Sequence, residues 1–158
     1  MRDSNEAGNN REERFEYVAR EIGAQVSHAS LAFLTAQMRK DGGVLTTKAR
    51  IGADEIYGYI PQYIIEKDIF EQWICGVFTK TICEAKNRYQ LEKAITIANE
   101  LGLKEGTDYF LIKDCCLTEL TPEEVDENGI GRVLTCIGFK PLPDEIAHKI
   151  SKKFQLYK

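Results

Sequence analysis

Strand-like and helix-like patterns alternate along most of the chain, and this alternation restricts the possible folds more than any other feature. Apolar and polar residues alternate over residues 77–85, and short apolar runs follow at 109–114 and 132–139. Apolar residues recur with helical spacing over 12–38, 66–74, 87–102 and 143–154. Strands separated by helices are typical of α/β folds. We therefore predict a three-layer α/β sandwich with a small mixed sheet of about four strands and helices on both faces.

The length of the chain limits it to one domain. A chain of 158 residues can bury one core but not two ordinary ones. Residues 1–10 carry almost no apolar side chains, so we expect a flexible lead followed by a single domain over residues 11–158. Residues 44–65 contain two glycines, one proline and three tyrosines with weak periodicity, which indicates a loop or hairpin inserted into that domain.

Composition argues against several classes of protein. An odd number of cysteines, no C-x-x-C spacing and two histidines predict neither a zinc site nor a disulfide framework, and we expect no metal or cofactor. The net charge of −4 gives no overall attraction for nucleic acid. The apolar runs are far shorter than the roughly 20 residues that cross a bilayer, so we expect a cytoplasmic protein without a membrane segment. The cysteines are Cys75, Cys83, Cys115, Cys116 and Cys136.

Polar residues at two places are candidates for a site. The helix pattern IGAQVSHASLAFL carries Gln25 and His28 on one face, with Ser27 round the side. Asp114 follows the apolar run YFLIK, and sites in α/β proteins gather beyond strand ends. The alternatives are a helix that tolerates polar residues on its edge and an aspartate that caps a loop.

Several short motifs, in this order, resemble the class II (archaeal and eukaryotic type) peptidyl-tRNA hydrolases. The first is IGAQVSHA at 22–29, where the family has K-x-A-A-Q-x-x-H-A. Next come TKTICEA, in place of a family strand, and ITIANELGL, in place of a helix ending E-L-G-L. KDCCLTE at 113–119 corresponds to R-D-A-G-x-T-Q, and CIGFKPLPDEIAHKI at 136–150 corresponds to G-I-G-P and the helix after it. The resemblance covers about residues 22–155.

The resemblance implies an activity and a set of residues. Family members hydrolyse the ester between a peptide and the terminal ribose of tRNA without a metal, so peptidyl-tRNA is the expected partner. Gln25, His28, Asp114 and Thr118 match polar positions of the family motifs. Asp114 would position the attacking water, with Gln25 as its polar neighbour.

The chain departs from the family pattern at several positions. NNREERFEYVARE stands where the family has a hydrophobic strand and a lysine-rich loop, and Glu21 stands at a family lysine. Cys115 and Cys116 replace an Ala-Gly pair. A family threonine aligns with Val133, and Thr135 would substitute for it only if the register shifted by two.

These departures keep two further hypotheses open. A thiolate of Cys115 or Cys116 beside His28 would cleave an ester through a thioester. Alternatively, the protein is a catalytically degenerate relative that binds or inhibits another protein, as in the counter-defence of a phage or other mobile element. Loss of the first family strand would expose a sheet edge, so we expect a homodimer or a stable complex with a protein partner.

Overall fold

The computed structural model describes residues 4–39, 44–51, 54–61, 64–115 and 122–157, and its helices and strands confirm the α/β class. The helices are α1 (Ser4–Arg39), α2 (Lys67–Ile69), α3 (Arg88–Glu100) and α4 (Asp144–Ser151), and a π-helical segment, Phe70–Val77, continues α2. The strands are β1 (Val44–Ile51), β2 (Asp54–Pro61), β3 (Cys83–Glu84), β4 (Tyr109–Asp114), β5 (Glu124–Val125), β6 (Gly131–Phe139) and β7 (Gln155–Leu156).

The described strands form three small sheets. β1 pairs with β2, β3 pairs with β7, and β6 lies between β4 and β5. Each of these pairings is antiparallel, so in this detail the strands differ from the single mixed sheet that the sequence predicted. Short connections join β1 to β2 and β5 to β6, and such connections favour antiparallel neighbours.

The strand predicted over residues 77–85 is much shorter in the structure. Val77 ends the π-helical segment, and Phe78 has left-handed backbone angles, with φ 54° and ψ 36°. An extended strand cannot pass through that conformation. Strand pairing is therefore confined to Cys83–Glu84, which the short strand Gln155–Leu156 joins at the end of the chain.

Two side chains at the start of α3 cap the helix. Asn87 precedes the helix, and its side chain accepts a hydrogen bond from the backbone N–H of Gln90 at 3.0 Å. The Gln90 side chain reaches back to the backbone N–H of Lys86 at 2.7 Å. These two contacts satisfy backbone donors that the first helical turn leaves unpaired, so the start of α3 is fixed next to β3.

Helix α1 covers β4 and β6 and positions the site. It begins at Ser4, earlier than predicted, and includes part of the segment 1–10, whose flexibility stays a prediction. A Cβ atom at Gly138 of β6 would lie 2.2 Å from the carbonyl oxygen of Ala29, so only glycine allows this approach. The buried apolar residues come from α1, the sheet, α3 and α4: Ala29, Ala32, Phe33, Ala94, Ala98, Tyr109, Leu134 and Ile150.

The segment at residues 44–65 is largely a hairpin, one of the two alternatives that the sequence left open. β1 and β2 pair along their full lengths, from Val44 opposite Pro61 to Ile51 opposite Asp54. That this hairpin is an insertion into the family domain stays a prediction.

Candidate functional site

A β-bulge in β6 sets the geometry of the site. Ile112 of β4 pairs with Cys136, whereas the next residue, Lys113, pairs with Leu134. Thr135 is therefore an extra residue without its own partner in the ladder. A bulge redirects side chains next to it, and bulges are common beside active sites.

Gln25, Asp114 and Thr135 make one continuous polar contact between α1 and the sheet. The Gln25 amide nitrogen donates to Asp114 Oδ2 at 2.6 Å, although the two residues are 89 positions apart. The Thr135 hydroxyl donates to Gln25 Oε1 at 2.7 Å and lies 3.2 Å from the carbonyl oxygen of Ile112. All three polar side chains are half-buried, so these hydrogen bonds fix which end of the amide faces the carboxylate.

The other helix residues that the sequence singled out lie apart from this contact. His28 is exposed, and it makes no hydrogen bond or ion pair with another residue in the described part of the chain. The Ser27 hydroxyl donates to the carbonyl oxygen of Gly23 in its own helix at 2.8 Å. Ser27 is therefore a polar residue on the helix surface, while His28 is accessible to a ligand. Thr118 lies outside the described residues.

Thr135, which the sequence admitted only if the register shifted by two, belongs to this contact. The resemblance places a family threonine at Val133, which pairs with Asp114 in the sheet. The bulge changes the register by one residue and brings the Thr135 hydroxyl to the amide of Gln25. No pattern in VLTCIGF signals a bulge, so the residue types alone could not have placed this hydroxyl.

Basic side chains near the same end of the sheet are paired with acids on or beside β5. Arg88 pairs with Glu123, and Lys113 pairs with Glu124. The Arg132 guanidinium lies 2.7 Å from Asp126 Oδ2. Backbone hydrogen bonds from Ile130, followed by the Arg132 contact, lower the pKa of Asp126, so this acid remains charged at neutral pH. A ligand phosphate would compete with these carboxylates for each cation.

Cys115 contacts a cation and not the histidine of the thioester hypothesis. Arg132 Nη1 lies 2.8 Å from the Cys115 sulfur, and no contact joins Cys115 to His28 within the residues described. Cys116 lies outside those residues. Burial raises the pKa of the Cys83 and Cys136 thiols, which disfavours their thiolates. The described geometry therefore offers no support for a cysteine nucleophile.

The described residues contain neither a metal-binding group of side chains nor a membrane-spanning helix. No group of three or more histidine, cysteine, aspartate or glutamate residues within the described ranges is arranged to hold a metal ion. Among those ranges, too, no helix is both long enough and apolar enough to cross a bilayer.

An α/β fold with a half-buried polar contact between a helix and the last residue of a paired strand defines the class of protein. The family model for Peptidyl-tRNA hydrolase PTH2 matches residues 15–157, and the chain belongs to this family. The matched region contains Gln25, Asp114 and Thr135. Among the curated proteins and the solved structures, none matches the chain.

Proposed function

We propose that the protein hydrolyses the ester that joins a peptide, or an N-blocked amino acid, to the terminal ribose of tRNA. Family membership supports the class of substrate. The hydrogen bond between Gln25 and Asp114 carries the proposal, because it joins two family motifs from distant parts of the chain in one polar contact. The reaction takes place in the cytoplasm and uses no metal ion.

Asp114 is the catalytic residue of this proposal. Ester hydrolysis needs an acceptor that orients water toward the carbonyl carbon and takes a proton as the water attacks. A carboxylate has two oxygens and accepts several hydrogen bonds, so Asp114 can bind both the Gln25 amide and a water molecule. The new bond joins the water oxygen to the carbonyl carbon, and the ribose oxygen leaves with a proton.

Gln25 and Thr135 are positioning residues. An amide side chain could present either its oxygen or its nitrogen to Asp114, and only the nitrogen donates. The Thr135 hydroxyl donates to the amide oxygen and so keeps the nitrogen directed at the carboxylate. His28, exposed three residues further along α1, would contact bound substrate, and Thr118 matches the threonine of its family motif.

The test is release of acetylated amino acid from N-acetyl-aminoacyl-tRNA by the purified protein. We expect turnover that persists in the presence of EDTA and falls at least about tenfold in Asp114→Asn, because the amide accepts a proton poorly. Asp68→Asn is the matched control, since Asp68 is exposed on α2. Wild-type protein that is inert at micromolar concentration would overturn the proposal.

The ion pairs beside β5 favour a second candidate function, a protein-binding relative that has lost catalysis. Three cations near the site are each in contact with an acid, which weakens the attraction for tRNA phosphates. Such a protein would act as a homodimer or in a complex with a protein partner. A monomer in sedimentation equilibrium that hydrolyses the tRNA ester would exclude this function.

A further inference from the structure

Two stacked aromatic rings lie beside α1, outside the contact that joins Gln25 and Asp114. The ring centroids of Trp73 and Phe78 are 4.3 Å apart, with an angle of 30° between the planes. Trp73 also meets the edge of the buried Phe33 of α1, with centroids 6.2 Å apart. Trp73 is thus anchored to the core, whereas 46% of Phe78 is exposed to solvent.

The backbone of Phe78 takes a strained conformation that holds the ring in place. Phe78 is the only non-glycine residue with positive φ among those that the structure describes. Its N–H donates to the carbonyl oxygen of Trp73 at 3.1 Å, and the Trp73 indole N–H donates to the carbonyl oxygen of Thr79 at 2.7 Å. Glycine would adopt this conformation without a steric cost, so the strained position keeps an aromatic ring at the surface.

A lysine is held over the exposed ring. Lys80 Nζ lies 4.7 Å from the centroid of Phe78 and donates to the hydroxyl of Ser30 at 2.6 Å. Its hydrogen-bond partner is neutral, and it forms no ion pair with a described residue. Arg88, Lys113 and Arg132 differ in this respect, because each of them contacts an acid.

The hydrogen bond from Lys80 to Ser30 shows where the rings lie along α1 relative to Gln25. Ser30 lies on α1, five residues after Gln25, which corresponds to about 7.5 Å of helix rise. It lies round the side of the helix from Gln25 and not on the same face. The rings and the Gln25 contact therefore lie at different places along the same helix.

We propose that Trp73, Phe78 and Lys80 form a binding site for an unpaired nucleotide. The base stacks on Phe78, and Lys80 moves from the ring to the neighbouring phosphate. Base stacking on an aromatic side chain is stronger than an exposed cation–π contact, so the base displaces the ammonium group from the ring. The ligand identity rests on the proposed function, because peptidyl-tRNA carries an unpaired 3′ end next to its ester.

The test uses the trinucleotide CpCpA, the sequence with which tRNA ends, and the single tryptophan of the chain. We expect saturable quenching of Trp73 fluorescence, with the same affinity in the anisotropy of a 5′-labelled trinucleotide. Phe78→Leu weakens binding at least about fivefold, the loss expected for one stacked base. Lys80→Gln also weakens binding and lowers the slope of log affinity against log salt by about 0.7, the value for one phosphate contact on a single strand.

Two matched variants separate this site from general effects. Tyr89→Leu removes an exposed aromatic residue of α3, and Lys93→Gln removes an exposed lysine of the same helix, and neither changes the affinity. If Phe78→Leu lowers the melting temperature but leaves trinucleotide affinity unchanged, the rings serve packing alone and the inference is overturned. Binding that does not alter Trp73 emission also overturns it.

The two proposals fail in different ways. A protein that binds CpCpA through Phe78 but does not release amino acid from N-acetyl-aminoacyl-tRNA contradicts the proposed function and leaves the nucleotide site intact. An active protein whose CpCpA affinity is equal in wild type and Phe78→Leu contradicts the nucleotide site alone.

Discussion

Single residues determine whether the polar contact between α1 and the sheet can form. Gln25 and Asp114 were predictable from the sequence, because each occupies a motif position and their residue types suit the chemistry. Thr135 was not predictable, since its contact depends on a bulge that no local pattern announces. From the sequence, Gly138 was known only as part of a motif. Its role, to let the Ala29 carbonyl of α1 approach β6 closely, is known from the structure.

Removal of the Thr135 hydroxyl tests its positioning role. In Thr135→Val, the Gln25 amide is no longer fixed by a donor at its oxygen, so we expect kcat for N-acetyl-aminoacyl-tRNA to fall roughly threefold to tenfold with little change in KM. Thr135→Ser keeps the hydroxyl and restores most of kcat. Equal loss in both variants would mean that the methyl group of Thr135, and not its hydroxyl, matters.

A methyl group at Gly138 tests the contact between α1 and β6. Its Cβ would lie 2.2 Å from the Ala29 carbonyl oxygen, so Gly138→Ala forces α1 away from the strand. We expect a loss of about 1–3 kcal/mol in the free energy of unfolding, measured in urea. Gly23→Ala, in α1 with nothing within 4 Å of the added Cβ, should instead stabilise by about 0.5–1 kcal/mol. A Gly138→Ala variant as stable as wild type would contradict the close approach.

Whole elements were predicted well where local signals were strong. The strand over 109–114 and the helix that Asn87 caps were both predicted and are confirmed, because apolar runs and caps are encoded locally. The strand over 77–85 was mostly wrong, because Phe78 takes a left-handed conformation that its residue type rarely adopts. Which strands pair with each other was not predicted, since pairing depends on contacts between residues distant in sequence.

The start of β4 is tied to the end of β6 by an ion pair that predicts a pH dependence. Lys140 Nζ lies 2.7 Å from Asp108 Oδ1, and the hydrogen bond from Lys140 lowers the pKa of Asp108 below its ordinary value of 3.8. A lowered pKa in the folded state stabilises the protein above the unfolded pKa, and that stability is lost as pH falls through the folded pKa.

We therefore expect Asp108→Asn to lower the free energy of unfolding at pH 7 by about 1–2 kcal/mol, the low end for a charged hydrogen bond, because both side chains are partly exposed. The difference from wild type should shrink as pH falls below 3.8, because the Asp108 carboxyl takes up its proton in the unfolded chain at a higher pH than in the folded protein. Urea titrations at pH 7 and pH 3 measure this change. Asp68→Asn serves as control, and a pH-independent difference for Asp108→Asn would refute the assignment.

At the scale of the whole molecule, the distribution of charge matters more for RNA binding than the net charge does. The net charge of −4 predicts weak attraction for RNA, but it could not show that acids beside β5 contact Arg88, Lys113 and Arg132. Those pairs depend on the way in which the hairpin of β5 and β6 meets α3 and β4.

Release of one paired cation tests this arrangement. Glu124→Gln removes the acid that contacts Lys113, so we expect several-fold tighter binding of tRNA at low salt. The slope of log affinity against log salt should steepen by about 0.7–0.9 if Lys113 gains a phosphate. Glu127→Gln removes an exposed acid without an ion pair to a described residue and leaves the slope unchanged. If both variants shift affinity equally, only the total charge matters.

The bulge in β6 also bears on how degenerate enzymes are recognised. By resemblance, Val133 stands where the family has a threonine. Judged from that position alone, the site would be classed as degenerate. The extra residue itself, Thr135, two positions after Val133, offers its hydroxyl to the Gln25 amide. Backbone geometry can therefore supply a polar contact that the residue type at Val133 does not, so a missing motif letter and a missing contact are separate observations.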